Sequence, residues 1–328
     1  MEAPILTVNH LTTRLRIDGK DTPVVDDLSF ALYPGRTLAL VGESGCGKSM
    51  TALSLMRILP HPPALPSSGE VLFRGKNLLE ISEKEMRSIR GGRIAMIFQD
   101  PSSALNPVYT IGNQLVEVAE LHLGLFGEEA EQRALKALSE VGIPAPLERF
   151  QDYPHQLSGG MRQRAMIAMA LMCEPDILIA DEPTTALDVT IQAQIMDLMR
   201  ALQKRKGMAI LLITHDMGIV AEMADDVIVM YAAQGVERGT VVELFDHMSH
   251  PYTQGLFASR PSLHLAKTFL HSIKGQVPSV ANFPSGCRFH PRCPFVMEKC
   301  RHGAVPAFKV GNQEHSANCW LLEERSHE

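Results

Sequence analysis

Thr37-Leu38-Ala39-Leu40-Val41-Gly42-Glu43-Ser44-Gly45-Cys46-Gly47-Lys48-Ser49 is the stretch that decides the fold. A strand-length apolar run enters a glycine-rich turn, and a helical pattern over 48–58 leaves it. Gly42 to Ser49 fill every specified position of G-x-x-x-x-G-K-[ST], the pattern of a phosphate-binding loop. Its glycines let successive backbone N–H groups turn inward around a phosphate chain. The helix behind adds the positive end of its dipole. Lys48 is expected on the β- and γ-phosphates and Ser49 on Mg²⁺. Glu43, Ser44 and Cys46 fill variable positions, where Cys46 reads as a small residue.

Strand-length apolar runs recur at 93–98, 177–181, 209–214 and 226–231. Helical patterns at 111–124, 128–141, 160–173 and 190–204 alternate with them. This alternation predicts an α/β core with a largely parallel sheet. Residues 100–157 lack strand signals and read as a helical insertion. The run Ile177-Leu178-Ile179-Ala180 ends in Asp181-Glu182. Two adjacent acids at a strand end repel unless a cation or a proton-accepting role holds them there. Asp181 is assigned to Mg²⁺, directly or through water, and Glu182 to the base that polarises an attacking water. Ser158-Gly159-Gly160 reads as an N-cap followed by glycines, a second anion-binding helix start. One nucleotide does not need two such starts from one chain.

The chain has 328 residues, 31 Lys plus Arg and 37 Asp plus Glu, for a net charge of −6. That balance argues against nucleic acid, whose binding needs clustered basic residues. No apolar run reaches the roughly 18–20 residues that span a bilayer. The N-terminus lacks the basic and apolar segments of a secretory leader, so a cytosolic chain is expected. Six cysteines in that setting are not read as three disulfides. Four of them, Cys287, Cys293, Cys300 and Cys319, follow the spacing C-x5-C-x6-C-x18-C in an aperiodic tail. The tail, 275–328, reads as a small appended module that a hydrophobic core alone would not hold together. Structural zinc sites use gaps of two to four residues between paired ligands, and here the shortest gap is five. A cubane [4Fe–4S] cluster takes four thiolates at wider spacing. Zinc and free buried thiols remain the alternatives.

The phosphate loop, the Leu157–Met161 stretch, Asp181-Glu182, Leu187-Asp188 and His215 resemble ATP-binding-cassette ATPases in order and spacing. The resemblance covers about residues 5–245. It implies a P-loop NTPase fold: a RecA-like core with a β subdomain and a helical insertion, here followed by the small Cys-rich C-terminal module. It also implies that two cassettes face head to tail, with Ser158, Gly159 and Gly160 of one closing on ATP held by the other. Gln99 resembles the Q-loop glutamine that contacts Mg²⁺ or the attacking water. His215 resembles the switch histidine on the γ-phosphate. Leu15 stands where the family usually stacks an aromatic ring on adenine.

Asp100-Pro101, Leu105-Asn106-Pro107, Tyr153-Pro154-His155, His250-Pro251-Tyr252 and Gly286-Cys287-Arg288-Phe289-His290-Pro291-Arg292-Cys293-Pro294 narrow the resemblance to peptide-importer ATPases. Within these it is to the first of the two ATPase subunits of dipeptide and oligopeptide permeases. The expected domains are 1–99 with 158–250 as nucleotide core, 100–157 as the permease-facing subdomain, and 251–328 as the C-terminal domain. The expected partners are a second ATPase subunit, giving a heterodimer, two membrane permeases and a solute-binding protein. The expected place is the cytoplasmic face of a bacterial inner membrane. The resemblance also points to a [4Fe–4S] cluster in some members. Nickel or antimicrobial-peptide transport shares this architecture. An ATPase acting on ribosomes or DNA is disfavoured by the single cassette and the net negative charge. Leu105, Val108 and Tyr109 are either a permease-facing patch or ordinary core.

Overall fold

In the computed structural model, which describes residues 3–184, 187–259, 273–311 and 314–323, the apolar runs become strands close to their expected bounds. Ile94–Ile97, Ile177–Asp181 and Ala209–Thr214 lie side by side in parallel register, Ile94 opposite Ile177 and Ile177 opposite Ala209. Every residue of these three strands is buried. That is why they read as unbroken apolar runs, since a parallel sheet is covered on both faces.

These strands belong to one of two compact units, made of Met1–Leu6, Ala31–Thr37 and Leu72–Ile213. Between its first two strands come the helices Ile111–Val118, Glu128–Glu140, Pro146–Phe150 and Gly159–Leu171. The expected helix over 111–124 turns into a π segment at Ala119–Leu123 and stops at Gly124, whose φ is 66°. Glu128–Glu140 buries Ala130, Ala134, Ala137 and Leu138, a single stripe at helical spacing. Small residues there let helices approach closely. Gly112 is the extreme case, because a Cβ on it would lie 2.3 Å from the Phe150 ring. Buried Gln114 accepts the Asn106 N–H at 2.9 Å and donates to the Asn106 carbonyl at 3.0 Å, fixing the preceding turn. On that turn Leu105 is 2% exposed, while Val108 and Tyr109 are 71% and 53% exposed. The three residues therefore divide between core and surface.

The other unit comprises Thr7–Phe30, Leu38–Val71 and Thr214–Glu328. It holds most of the long strands Leu6–Ile17 and Lys20–Leu32, joined at Asp18-Gly19 with φ of 50° and 78°. Two positive-φ residues make the tight hairpin whose twist matches its strands. Thr37–Val41 runs parallel to Asp226–Tyr231, Leu38 opposite Asp226. Asp226–Tyr231 then turns back into Gln234–Thr240.

The cysteine-rich tail is less separate than its composition suggests. Ser316–Ala317 pairs antiparallel with Arg238 and Glu237 of the Gln234–Thr240 strand, and Phe308–Lys309 pairs with Ser316–Ala317 in turn. Phe289, 2% exposed, belongs to the same buried cluster as Val41, Val229, Tyr231 and Tyr252. Its ring meets Tyr231 edge-on at 5.2 Å and Tyr252 at 5.4 Å. Such pairs add about 0.5–1.5 kcal/mol each beyond their buried area. The tail's elements are 3-10 turns and two-residue strands, too short to leave a period in the sequence.

Candidate functional site

The phosphate loop leaves Val41 with Gly42 at φ 151°, Gly45 at 80° and Gly47 at 109°. A Cβ on Gly47 would lie 2.5 Å from the Val24 carbonyl oxygen, and one on Gly42 2.3 Å from that of Met230. Only glycine fits either place. Lys48 opens the helix Lys48–Met56 and is 5% exposed. Its Nζ donates to the Gly42 carbonyl at 2.7 Å and the Glu43 carbonyl at 3.1 Å. The ammonium is thus tied across the loop by the loop's own carbonyls, which also holds the turn in shape. Buried Cys46 lies 3.7 Å from Nζ through its sulfur, and burial pushes its thiol pKa up. It is a neutral packing residue, as its variable position suggests.

Three supports of this loop lie far away in sequence. The Tyr252 hydroxyl accepts the Glu43 N–H at 2.8 Å. Arg292 grips the Glu43 carboxylate with two N–H donors, at 2.6 and 3.1 Å. Arg292 also donates to the backbone carbonyls of Lys274 and Gly275 at 3.1 and 3.2 Å. The Cys46 carbonyl accepts the Ala233 N–H at 2.8 Å. Ala232 and Ala233 sit at φ 46° and 70°, strained for alanine. Arg288 fixes that turn by donating to the Ala232 carbonyl at 2.5 Å. Glu43, a candidate nucleotide contact by its position, spends its side chain on Arg292. The signals for these supports were the paired motifs His250-Pro251-Tyr252 and His290-Pro291-Arg292, which mark a family but state no contact.

In the same unit Leu15 lies half-buried within the Leu6–Ile17 strand and bridges to Ala64. His215 is exposed just past Thr214, and the following Asp216 caps the helix Met217–Met223 by accepting the Gly218 N–H at 2.7 Å.

In the other unit Asp181 closes its strand and is 4% exposed. Glu182 follows at φ 45°, its N–H donating to the Ile213 carbonyl at 2.8 Å. The Gln99 side chain donates through Nε2 to Glu182 Oε2 at 3.0 Å. The structure thus brings Glu182, read as the base, beside Gln99, expected by resemblance on Mg²⁺ or the attacking water. Ser158 caps the helix Gly159–Leu171, its Oγ accepting the Met161 N–H at 3.3 Å. Ser158 and Gly159 are exposed, and a side chain on Gly159 would meet nothing within 4 Å. Buried Gln163 on this helix donates to the Pro183 carbonyl, tying the helix to the residue after Glu182. Asp188 caps the helix Val189–Lys206 by accepting the Ile191 N–H at 2.9 Å.

Cys287, Cys293, Cys300 and Cys319 line one common cavity. Burial pushes the thiol pKa values of Cys287, Cys293 and Cys319 up, that of Cys319 to about 11, with the other three sulfurs adding to the shift there. No group of three or more His, Cys, Asp or Glu side chains among the described residues is placed to hold a metal ion. No helix among the described residues is long and apolar enough to cross a membrane.

Residues 25–185 match the family described as ABC transporter, and residues 236–300 the oligopeptide/dipeptide transporter C-terminal region. A peptide import ATP-binding protein of Brucella melitensis is 50% identical, with 98% of each chain covered. The dipeptide transport ATP-binding protein DppD of Bacillus subtilis is 49% identical, over 98% of this chain and 96% of that one. Among solved structures, the dimeric post-hydrolysis state of the ATP-binding cassette MJ0796 with ADP and Pi has a TM-score of 0.64 at 25% identity. It covers 72% of this chain and 98% of that one. With a phosphate loop, an Asp-Glu strand end and a capped Ser-Gly-Gly helix all in place, the chain belongs to the ABC transporter family as an ATP-hydrolysing subunit with an oligopeptide/dipeptide-type C-terminal region.

Proposed function

We propose that this chain powers the import of dipeptides or oligopeptides at the cytoplasmic face of a bacterial cell membrane. The observation that carries this reading is likeness over nearly the whole length, tail included, to a dipeptide transport ATP-binding protein. Its partners in this reading are two membrane permeases, a solute-binding protein and a second ATPase subunit, the pair of cassettes being a heterodimer. The domain division is 1–99 with 158–250 for nucleotide, 100–157 for the permeases and 251–328 for the C-terminal domain. Exposed Val108 and Tyr109 support 100–157 as the permease-facing part.

In this reading the N–H groups of 42–49 and Lys48 bind the ATP phosphates. Ser49 and Asp181 hold the Mg²⁺ that enters with ATP. Glu182 takes the proton of the attacking water, oriented by the Gln99 amide that already holds its carboxylate. His215 contacts the γ-phosphate. The exposed, capped Ser158-Gly159-Gly160 start is donated to ATP on the partner cassette, and the dimeric state of the solved relative supports that arrangement. Leu15 packs on adenine in place of an aromatic ring.

Cys287, Cys293, Cys300 and Cys319 are proposed to hold a [4Fe–4S] cluster, with zinc the alternative. Four thiols around one cavity suit a group with four corner irons. Bound, the cluster would supply structural cross-linking and electron storage, and hydrolysis needs neither.

The test is uptake of a labelled dipeptide by cells lacking this gene, complemented with wild type or Glu182→Gln. Uptake restored by the first and not the second is expected. Unimpaired dipeptide uptake in the deletion strain, with another solute lost instead, would overturn the peptide assignment.

A further inference from the structure

A groove of about 330 Å³ runs between the long hairpin and the tail, within one of the two units. Leu28, Ile228 and Val305 line it with apolar groups, and Asp27, Arg238 and Asn318 with polar ones. The strands beside it depart from regular geometry. Burial alternates through Leu6 and Val8, then resumes one residue out of step at Leu11 and Thr13, with exposed His10 at the break and at φ 52°. On the neighbouring strand Asp27 stands at φ 56°. Gly69, on the strand along the other side, makes room, since a Cβ there would lie 2.4 Å from the His10 carbonyl oxygen. Such breaks re-aim side chains, and residues other than glycine at positive φ are costly and cluster at ligand clamps. His10 Nδ1 meets Asp27 Oδ1 at 2.6 Å, which leaves Oδ2 for another donor. Arg238 donates through Nε to Ser316 Oγ at 3.1 Å, and among the described residues its terminal N–H groups and the Asn318 side-chain amide have no partner. Buried Glu237 also lines the groove, but its carboxylate is already satisfied by the Ser249 and His250 N–H groups and by His315 Nε2 at 2.8 Å.

We propose that this groove binds a short zwitterion, an amino acid or dipeptide, with its ammonium on Asp27, its carboxylate on Arg238 and its other polar atoms on the Asn318 amide. The planar fork of an arginine matches a carboxylate. One unsatisfied group of each sign decides the class. A nucleotide or other polyanion would meet Asp27, and a cation alone would leave Arg238 unanswered. Ligand sites measure about 300–1,000 Å³, so a groove at the lower end takes a small molecule and not a long peptide. Leu28, Ile228 and Val305 cover the ligand's apolar part. No group of the nucleotide site takes part, so the proposal goes beyond the import reading and does not rest on it.

The experiment is a calorimetric titration of the full chain with alanine, dialanine and N-acetyl-dialanine amide, which lacks both end charges. Alanine or dialanine is expected to bind at one site per chain, the tighter of the two naming the ligand's length. Blocking both ends is expected to weaken dialanine at least about tenfold, the size of one charge-assisted hydrogen bond. Arg238→Gln and Asp27→Asn remove one charge each from exposed positions. Each is expected to weaken the zwitterion about tenfold while the chain melts and binds ATP as wild type does. No saturable binding of alanine or dialanine up to about 10 mM, a concentration that detects even millimolar affinity, would overturn the proposal. So would equal binding of the blocked peptide, or binding that survives both substitutions. The comparison of unblocked with blocked dialanine needs no variant, so it decides even where a substitution unfolds the chain. Loss of dipeptide uptake in cells, by contrast, tests the import reading alone.

Discussion

Arg292→Ala removes the two-pronged grip on Glu43 and is the sharpest test of how the tail supports the phosphate loop. The Arg292 side chain is 5% exposed and that of Glu43 31% exposed. Removing one partner of a fully buried pair costs about 3–5 kcal/mol. Glu43 keeps part of its hydration, so the expected loss is smaller, about 2 kcal/mol. The carbonyls of Lys274 and Gly275 also lose a donor, and nearby water replaces it in part. A loss of this size lowers the melting temperature by a few degrees in a chain this long. The loop is also less pre-organised, because Glu43 loses its side-chain anchor and is held by its backbone alone, through the Tyr252 hydroxyl on its N–H and Lys48 on its carbonyl. We expect about tenfold weaker ATP binding, equivalent to about 1.4 kcal/mol. Calorimetric titration with ATP and thermal unfolding measure the two effects. A cycle of Arg292→Ala, Glu43→Ala and the double variant isolates the pair, with an expected coupling of about 1–2 kcal/mol. Coupling under about 0.5 kcal/mol, with unchanged ATP affinity, would refute the strut and make the tail a passenger.

Further outcomes follow from the other half of the site. Glu182→Gln keeps the Gln99 contact but removes the proton acceptor, so turnover in the assembled transporter should fall about 10²–10⁴-fold while ATP still binds; near-normal turnover rejects Glu182 as base. Ser158→Arg places bulk and charge at an exposed helix start, so in a mixed dimer it should disable ATP held by the partner cassette and spare ATP binding at Lys48. Loss of binding at Lys48, measured with a labelled nucleotide, would contradict the head-to-tail arrangement. Gly47→Ala meets both a positive φ and a carbonyl oxygen 2.5 Å from the new Cβ, so ATP binding should vanish and stability fall by about 2 kcal/mol or more; a variant that melts and binds as wild type does would show that the loop yields.

Much of this protein was legible in the chain alone. The parallel strands were, because burial on both faces leaves no alternative to unbroken apolar runs. The phosphate loop was, because its chemistry needs glycine at places where a Cβ would strike a carbonyl. The cap at Ser158 was equally local, since a cap is an agreement between a side chain and an amide three residues on. What the sequence misjudged was the tail. It read 275–328 as an aperiodic appended module that a hydrophobic core alone would not hold together, whereas Phe289 shares the core of Tyr231 and Tyr252 and Ser316–Ala317 extends the strand order. Only tertiary structure could decide this. Contacts such as Glu43 to Arg292, across 249 positions, leave no period or spacing behind. Nor could any pattern announce the groove that Asp27 and Arg238 share, because a groove exists only once the chain has closed around it. Local rules fixed the strands, loop and cap, since each is settled within a few residues; the supports of the loop and the surroundings of the cysteines were settled by which distant side chains came to share a buried space.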